Sequence, residues 1–212
     1  MEILQLIKSR RSIPRFKADP VDRPAIEMLL EAAVWAPNHH LTEPWHFYVL
    51  EDGAKARFAE IRRDFRLTLF PNPQAPEAQK AAQKVFEQVL ETPVVIVVTT
   101  RVSPDPTLTE DDYAATMMAV QNMLLVAASL DLGAYLRTGG LIHDDALRVL
   151  LGLAADRRIA GVVYVGYPDL IPERHRTPAE QKTTWLRDVT PPPESLTDPL
   201  PDSLETDGAP RS

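Results

Sequence analysis

Apolar positions recur at helical or strand spacing along most of the chain. Residues 2 to 9 have the pattern of a short helix, which ends where a basic cluster begins. After Asp22, a residue type that favours the N-cap position, apolar residues recur at i, i+3, i+4, i+7 and i+8. This spacing predicts a second helix that ends before Pro37.

Shorter segments predict most of the remaining elements. An apolar run at 93 to 100 has the length of a strand and the composition of one that is covered on both faces. Three other segments predict strands, and three predict helices. The predicted strands are 45 to 51, 134 to 136 and 159 to 167, and the predicted helices are 53 to 70, 76 to 91 and 143 to 152.

The longest predicted helix begins at Thr109, since Asp112 follows at the spacing of a capping box. A Leu-Gly pair at Gly133 is expected to close it. Between 114 and 130 its strongly polar residues are limited to one Gln-Asn pair, so the helix is apolar on nearly every side. Such a helix is expected to lie buried at the centre of the protein or against a partner chain.

Strands and helices alternate along the chain, but not strictly one for one, and no internal repeat is present. The predicted fold class is therefore α+β, with a mixed and mostly antiparallel sheet flanked by helices, rather than a doubly wound parallel sheet.

Composition divides the 212 residues into a body and a tail. The body, residues 1 to 187, is long enough for one domain with a sizeable core. From 188 to 212 the chain has six acids against one arginine, many prolines and few apolar residues. This composition cannot compensate for the entropy lost on ordering, so we expect a disordered tail.

The absence of cysteine excludes disulfides and thiolate metal sites and fits a reducing compartment. No apolar run approaches the length of a membrane span, and the first helical stretch has no signal-peptide core. We therefore expect a cytoplasmic protein with no membrane partner.

A basic cluster, "KSRRSIPRF" at 8 to 16, has four cations and no acid in a chain of net charge -7. One interpretation is a solvated helix end, with cations at the negative pole of the helix dipole. The other is an oxyanion site, because Arg10 and Arg11 can grip phosphate and Ser12 adds a short donor. Nucleic acid is the weaker candidate, since the rest of the chain offers no basic stripe.

Three other segments contain candidate binding residues. "APNHHLTEPWHF" at 36 to 47 has three histidines, but adjacent His39 and His40 would meet one metal ion with difficulty, so a metal site is not expected. "LRTGG" at 136 to 140 could bring backbone N-H groups to a planar ligand, or be a simple turn. "RHR" at 174 to 176 could clamp a phosphate or be solvated.

Sequence signatures of several enzyme classes are missing. The chain has no G-x-x-x-x-G-K-[ST] loop, no G-x-G-x-x-G after a strand and no G-x-S-x-G elbow. No nucleophile or general base stands out. If the protein is an enzyme, a bound cofactor is expected to carry the chemistry.

Taken in order, the motifs resemble the nitroreductase-like FMN family, and most of all its small bacterial NAD(P)H nitroreductases. The resemblance runs from 1 to 187 and rests on "RRS", "PWHF", "QNMLLVAASLDLGA", "RTGG" and "YVGYP". It implies an intertwined homodimer in which the long helix forms much of the contact and the segment 183 to 190 crosses to the partner. It also implies one FMN per chain, held between the subunits.

The resemblance assigns roles to particular residues. Arg10, Arg11 and Ser12 would meet the flavin phosphate, ribityl chain or pyrimidine oxygens, and Arg174 and Arg176 a phosphate. Trp35 and His39 would approach from the partner chain. Donors near the isoalloxazine ring would come from Leu136, Arg137, Thr138 and Gly139.

Two positions depart from the family pattern. Pro14 stands where many relatives have a cation, with Arg15 one place later, and Glu43 stands where Gln commonly precedes Pro-Trp.

The implied activity is ping-pong transfer of hydride through flavin N5, from NADH or NADPH to a small-molecule acceptor such as a nitroaromatic or a quinone. No catalytic side chain is named. One alternative is a non-catalytic protein that binds FMN or another anionic nucleotide. A second is a flavin enzyme of the same fold with a different reaction, such as dehalogenation or dehydrogenation.

Overall fold

The computed structural model describes residues 2 to 186. The chain divides into two compact units, Met1–Arg174 and His175–Ser212. The expected domain of residues 1 to 187 stays a prediction. The expected tail, residues 188 to 212, lies outside the described residues.

The first unit contains helices and strands close to those predicted. Its strands are β1 (His46–Leu50), β2 (Val94–Arg101), β3 (Gly133–Arg137) and β4 (Arg157–Gly166). Its α-helices are α1 (Ile3–Ser9), α2 (Arg23–Val34), α3 (Asp52–Thr68), α4 (Pro76–Glu91), α5 (Pro106–Ser129) and α6 (Asp145–Leu150). Short 3-10 turns occur at His39–Leu41 and Gly140–His143, and another, Ala179–Lys182, lies in the second unit.

The four strands form one sheet in the order β1-β2-β4-β3, and each of its three ladders is antiparallel. A parallel pairing occurs as an isolated bridge between Ser12 and Ala134. The α+β class with a mostly antiparallel sheet is therefore confirmed. The strand β2 is buried from Val94 to Thr100, as expected for a strand covered on both faces.

Helices cover both faces of this sheet. On one face, α2 and α5 pack over alternate residues of the central strands, such as Ile96 and Val98. On the other face, α3, α4 and α6 pack over the intervening residues, such as Val95 and Val97. We call these the α5 face and the α3–α4 face.

The predicted start of the long helix was wrong by one turn. Helix α5 begins at Pro106, whose missing N-H costs nothing in the first turn, and the Asp105 carboxylate accepts a hydrogen bond from Thr107 N at 2.9 Å. The Thr109 hydroxyl instead donates to the Ser103 carbonyl, at 3.0 Å.

The predicted end of α5 also needs correction. The helix ends at Ser129, and Asp131 takes the left-handed turn that reverses the chain, with φ of 57°. Aspartate tolerates this conformation better than most residues. Gly133 is therefore free to begin β3.

Asp112 belongs to a buried network rather than to a capping box. Its carboxylate is 1% exposed and accepts hydrogen bonds from Arg101 Nε at 3.1 Å and Thr42 Oγ1 at 2.6 Å. This network ties the end of β2 and the turn before β1 to α5.

Candidate functional site

The segment after α1 runs along the outer edge of β3. Ile13 N donates to the Ala134 carbonyl at 3.0 Å, and Lys17 N donates to the Tyr167 carbonyl at 2.8 Å. Gly133 allows this close approach, since a Cβ there would lie 2.7 Å from the Ile13 side chain. The basic cluster and the segment 136 to 139 therefore lie along the same edge strand, about 10 Å apart at 3.3 Å per residue.

Within the basic cluster, Arg11 caps the end of α1. Its Nη1 donates to the carbonyls of Lys8, Ser9 and Arg10 at 2.6, 3.1 and 2.9 Å. This geometry matches the helix-end interpretation for Arg11. Arg10 is half-buried and Ser12 is exposed.

Arg15, the last cation of the basic cluster, lies near a carboxylate. Its Nε is 3.8 Å from Asp169 Oδ2, and both side chains are more than half exposed. Such a pair contributes little to stability, because both groups stay hydrated.

The residues that follow β3 form an open rim. Leu136 and Arg137 are half-buried, whereas Thr138 and Gly139 are exposed. A Cβ at Gly139 would meet no atom within 4 Å, so space for a ligand exists there. A Cβ at Gly140 would lie 2.9 Å from the Phe65 ring, so the second glycine is needed for packing against α3.

Two cavities, of about 420 and 390 Å³, open on the α3–α4 face beside this rim. The larger extends toward Arg15 and α4, and the smaller toward Phe65 and residues 138 to 142. Both volumes lie in the range of small-molecule sites. The same four residues line both cavities: Arg62, Tyr135, Arg137 and Tyr164.

Arg137 lies across two aromatic rings of this shared wall. Its guanidinium carbon is 4.6 Å from the Tyr135 ring centroid and 5.4 Å from the Tyr164 centroid. Cation-π attraction favours this position of the side chain. Arg137, one of the residues predicted near the flavin ring, is thus held in a position that places its positive charge beside the cavities.

The other two members of the wall carry unsatisfied polar atoms. Arg62 Nε and the Tyr164 hydroxyl are the buried side-chain nitrogen and oxygen atoms that lack a hydrogen-bond partner within the described chain. Burial lowers the pKa of Arg62, and the nearby Arg137 and Arg66 lower it further, against an opposing effect of Tyr164. Burial raises the pKa of Tyr164, against the opposing effect of the two arginines Arg62 and Arg137.

Sequence reasoning missed Arg62 and Tyr164. A signal existed for Arg62, because it falls on the same helical stripe as Phe58, Ile61 and Phe65, the apolar side of α3. A cation within an apolar stripe predicts a buried charge that needs a partner. Nothing comparable distinguishes Tyr164 from an ordinary core tyrosine.

Trp35 and His39 lie where α2 leads into the turn before β1. Trp35 is 76% exposed and donates from Nε1 to Glu31 Oε1 at 2.9 Å, and His39 Nδ1 is 3.0 Å from Asp111 Oδ2. These partners belong to their own chain, so both side chains are oriented before any second subunit is present.

The backbone of this turn is strained. His40, Leu41 and Glu43 have φ of 54°, 53° and 42°, and Leu41 is 82% exposed. The amide of Glu43 donates to Asn38 Oδ1 at 2.9 Å, which helps to hold the turn. A fixed turn that exposes a large apolar side chain is typical of a contact surface.

The last predicted pair lies on either side of the unit boundary. Arg174 ends the first unit and Arg176 belongs to the second, where its Nη1 donates to the His175 carbonyl at 3.1 Å. Both side chains are exposed. Their binding of a phosphate stays a prediction.

Two other features are absent from residues 2 to 186. That range contains no group of three or more His, Asp or Glu residues placed to hold a metal ion. None of its helices has the length and hydropathy needed to cross a membrane.

Comparison with known proteins gives a consistent match. Residues 7 to 167 match the Nitroreductase family. "Putative NAD(P)H nitroreductase YfhC" of Bacillus subtilis is 32% identical over 184 residues, which cover 85% of this chain and 92% of the relative.

Two crystal structures have the same fold. A nitroreductase-like family protein from Bacillus cereus has a TM-score of 0.75 and 31% identity, covering 89% of this chain and 97% of its own. A protein from Desulfovibrio desulfuricans, described as a "putative nitroreductase in complex with FMN", has a TM-score of 0.67 and 27% identity, covering 90% and 99%.

Proposed function

The chain belongs to the nitroreductase family, and from this premise we propose that it carries electrons from NADH or NADPH to nitroaromatic, quinone or similar acceptors. As a family member it is an FMN-dependent oxidoreductase. The observation that carries the proposal is the family match itself, because residues 7 to 167 include both the basic cluster and the segment 136 to 139.

The residues present fit FMN. The group has an anionic phosphate at one end and a planar ring with carbonyl acceptors at the other. This chain offers cations at positions 10 and 11. The end of β3 offers an open rim beside the two cavities, whose walls include two buried donors without partners in the described chain, Arg62 Nε and the Tyr164 hydroxyl. The spacing of these features suits an elongated ligand.

Each part of the site has a proposed role. Arg10, Arg11 and Ser12 would hold the phosphate and ribityl chain. Arg174 and Arg176 would each offer a cation to a phosphate. Leu136, Arg137, Thr138 and Gly139 would face the ring. For Arg11 this requires that part of its guanidinium stays available beyond the three carbonyls it caps.

When bound, FMN supplies hydride acceptance from the nicotinamide and two-electron delivery to the acceptor. The chain supplies binding, orientation and charge. Arg137 keeps a fixed positive charge beside the cavities, which favours an electron-rich ligand over an electron-poor one. The exposed rim at Thr138 and Gly139 leaves room for nicotinamide and acceptor to bind in turn.

We propose that the active protein is a homodimer. Outward-facing Ala114 and Met118 continue the apolar character of α5 to the surface, and Met118 is 42% exposed. Exposed Ile3 and Leu4 on α1 and Leu41 in the strained turn add to this apolar surface. A second subunit would cover it, and the partner subunit's Trp35 and the partner subunit's His39 would complete the flavin site.

Absorption spectra of the purified protein test the activity. We expect a flavin band that bleaches when NADH or NADPH is added without oxygen and returns when a quinone is added. Bound flavin that no reductant bleaches would instead support the non-catalytic alternative. Analysis of products from a panel of acceptors would distinguish reduction of nitro groups from dehalogenation or dehydrogenation.

Mass in solution tests the dimer. Met118→Asp places a charge in the proposed contact and should halve the measured mass, whereas Val149→Asp, on α6 and 79% exposed, should leave it unchanged. A wild-type protein that is monomeric at micromolar concentration would refute the shared site.

A further inference from the structure

We propose that Arg62 and Tyr164, together with Arg137, form a wall that binds the flavin ring itself and favours its reduced, negatively charged form. This inference rests on the proposed function, because it requires that the chain binds FMN. It assigns to α3 and β4 two contacts that no sequence motif indicated.

The first support comes from the surroundings of Arg62. Within residues 2 to 186, no carboxylate lies within ion-pair distance of its guanidinium, and its Nε donates to nothing. Burial is the main cause that lowers the pKa of Arg62; Tyr164 opposes this effect, and the like-charged Arg137 and Arg66 add to it. A half-buried cation of this kind is unfavourable until an anion or several acceptors reach it.

Tyr164 gives a second and independent indication. Its side chain is 5% exposed, and its hydroxyl has no partner in the described chain. Because burial raises its pKa, the phenol stays protonated at neutral pH and is a hydrogen-bond donor without an acceptor. Since Arg62, Arg137 and the phenol all offer hydrogen-bond donors, a ligand that presents acceptors suits this wall.

The carboxylates that line the larger cavity do not fill this role. They are Glu87, Glu91 and Asp169. Asp169 lies beside Arg15, and Glu87 accepts a hydrogen bond from Gln83 at 2.9 Å. Within residues 2 to 186, none of the three carboxylates forms an ion pair with Arg62 or Arg137. A bound molecule that presents acceptors would supply these partners.

A flavin ring fits this wall better than a phosphate does. Tyr135 and Tyr164 provide aromatic surface, and Phe65 lines the adjoining cavity, so the site combines flat apolar walls with donors. The pyrimidine part of the ring presents carbonyl acceptors and gains negative charge on two-electron reduction. Arg62 and Tyr164 both line the cavities, and a guanidinium and a phenol placed there would stabilise that charge.

Binding of FMN and riboflavin to the apoprotein separates ring contacts from phosphate contacts. Riboflavin has the same ring and no phosphate. We expect Arg62→Gln to weaken both ligands about tenfold, as for the loss of a charged hydrogen bond. Arg63→Gln, the matched control on the same helix, should change neither, because Arg63 faces Asp64 at 2.8 Å. Arg10→Gln should weaken FMN alone.

The outcomes of this titration are decisive. If Arg62→Gln weakens FMN but not riboflavin, Arg62 is a phosphate ligand and the proposal is wrong. If it weakens neither, the wall does not contact the flavin. Tyr164→Phe removes one oxygen atom and keeps the packing, so it gives the same test if the Arg62 variant does not fold, with an expected loss of a few-fold for both ligands.

The reduction potential of the bound flavin supplies a readout other than activity. If Arg62→Gln weakens the reduced flavin ten times more than the oxidised one, the two-electron potential falls by about 30 mV. An unchanged potential would overturn the claim that the wall favours the reduced form. If wild-type protein binds no flavin, the proposed function fails. If wild type binds FMN and turns over but Arg62→Gln is unaltered, only this inference fails.

Discussion

Two arginines beside the same sheet have opposite surroundings. On the α5 face, Arg101 donates to the buried Asp112 carboxylate at 3.1 Å, and Thr42 satisfies the other carboxylate oxygen. On the α3–α4 face, the Nε of Arg62 has no partner within residues 2 to 186, and the cations that lower its pKa, Arg137 and Arg66, carry its own sign. The first network is complete within one chain, whereas in the proposed site a ligand would complete the second.

The position of the two cavities gives a second contrast between the faces of the sheet. The cavities lie on the side of the sheet where Arg62 and Tyr164 are found, beside the rim at the end of β3. Buried polar side chains on the α5 face, such as Asp112, Thr100 and Thr116, have hydrogen-bond partners. Structural polar groups and binding polar groups can thus be distinguished by whether the chain itself satisfies them.

The largest expected effect comes from breaking the complete network. Asp112→Ala would leave the Arg101 guanidinium and the Thr42 hydroxyl without their shared acceptor. It should lower the free energy of unfolding by about 3 kcal/mol. Asp111→Ala is the control, since it removes only an exposed contact with His39 and should cost less than about 1 kcal/mol. Urea denaturation measures both; equal losses would contradict the contrast between the two networks.

Two glycines extend the contrast between filled and open space. Gly133→Ala would force a Cβ to 2.7 Å from Ile13 and should cost about 2 kcal/mol of unfolding free energy, since overpacking displaces the segment that carries Ser12. Gly139→Ala meets no atom within 4 Å and should change stability little while weakening FMN binding. Urea denaturation and FMN titration measure both variants. The prediction fails if Gly139→Ala is the more destabilising change.

Arg62→Met should have an effect that depends on the ligand. Without FMN, loss of a cation that has no partner should change the free energy of unfolding by less than about 1 kcal/mol, in either direction. At saturating FMN the variant should gain less stability than wild type, because ligand stabilisation follows the dissociation constant. Thermal denaturation with and without FMN checks this; a large loss in the apoprotein would mean that Arg62 is structural.

The smallest effect concerns alkaline pH. The pKa of Tyr164 is raised in the folded protein, so its contribution to stability is fully present below the unfolded value of about 10 and is lost as pH rises through the folded pKa. Wild type should therefore lose stability more steeply above pH 10 than Tyr164→Phe. Urea denaturation at pH 9 and at pH 11 gives the change in unfolding free energy with pH for each protein. An equal change in wild type and in Tyr164→Phe would show that Tyr164 does not titrate as described.

Most of the fold could be predicted from local patterns. Three local patterns located the ends of helices and strands to within a few residues. They are the apolar run of β2, the helical spacing of α2 and the proline-rich boundary before α4. The start of α5 was missed, although Asp105 and Pro106 carry the stronger local signal for a helix start. Asp112 was misinterpreted because its partners Arg101 and Thr42 are brought to it only by the tertiary fold.

The candidate site was predictable only in part. Residues 12 and 136 to 139 were identified by family motif, and the structure brings them to one edge of the sheet through the pairing of Ser12 with Ala134. Tyr164 could not be identified, because a tyrosine in a β-strand is ordinary and its lack of a partner depends on the surrounding elements. Arg62 stood within an apolar helical stripe, a pattern that local reasoning can find in other chains.

The most direct test of this account is a crystal structure of the flavin-loaded protein. We expect the Arg62 guanidinium and the Tyr164 hydroxyl to lie within about 2.7 to 3.2 Å of acceptor atoms on the flavin ring. The account is contradicted if the ring binds elsewhere and Arg62 and Tyr164 keep no partner, or if a carboxylate of the protein satisfies Arg62 instead.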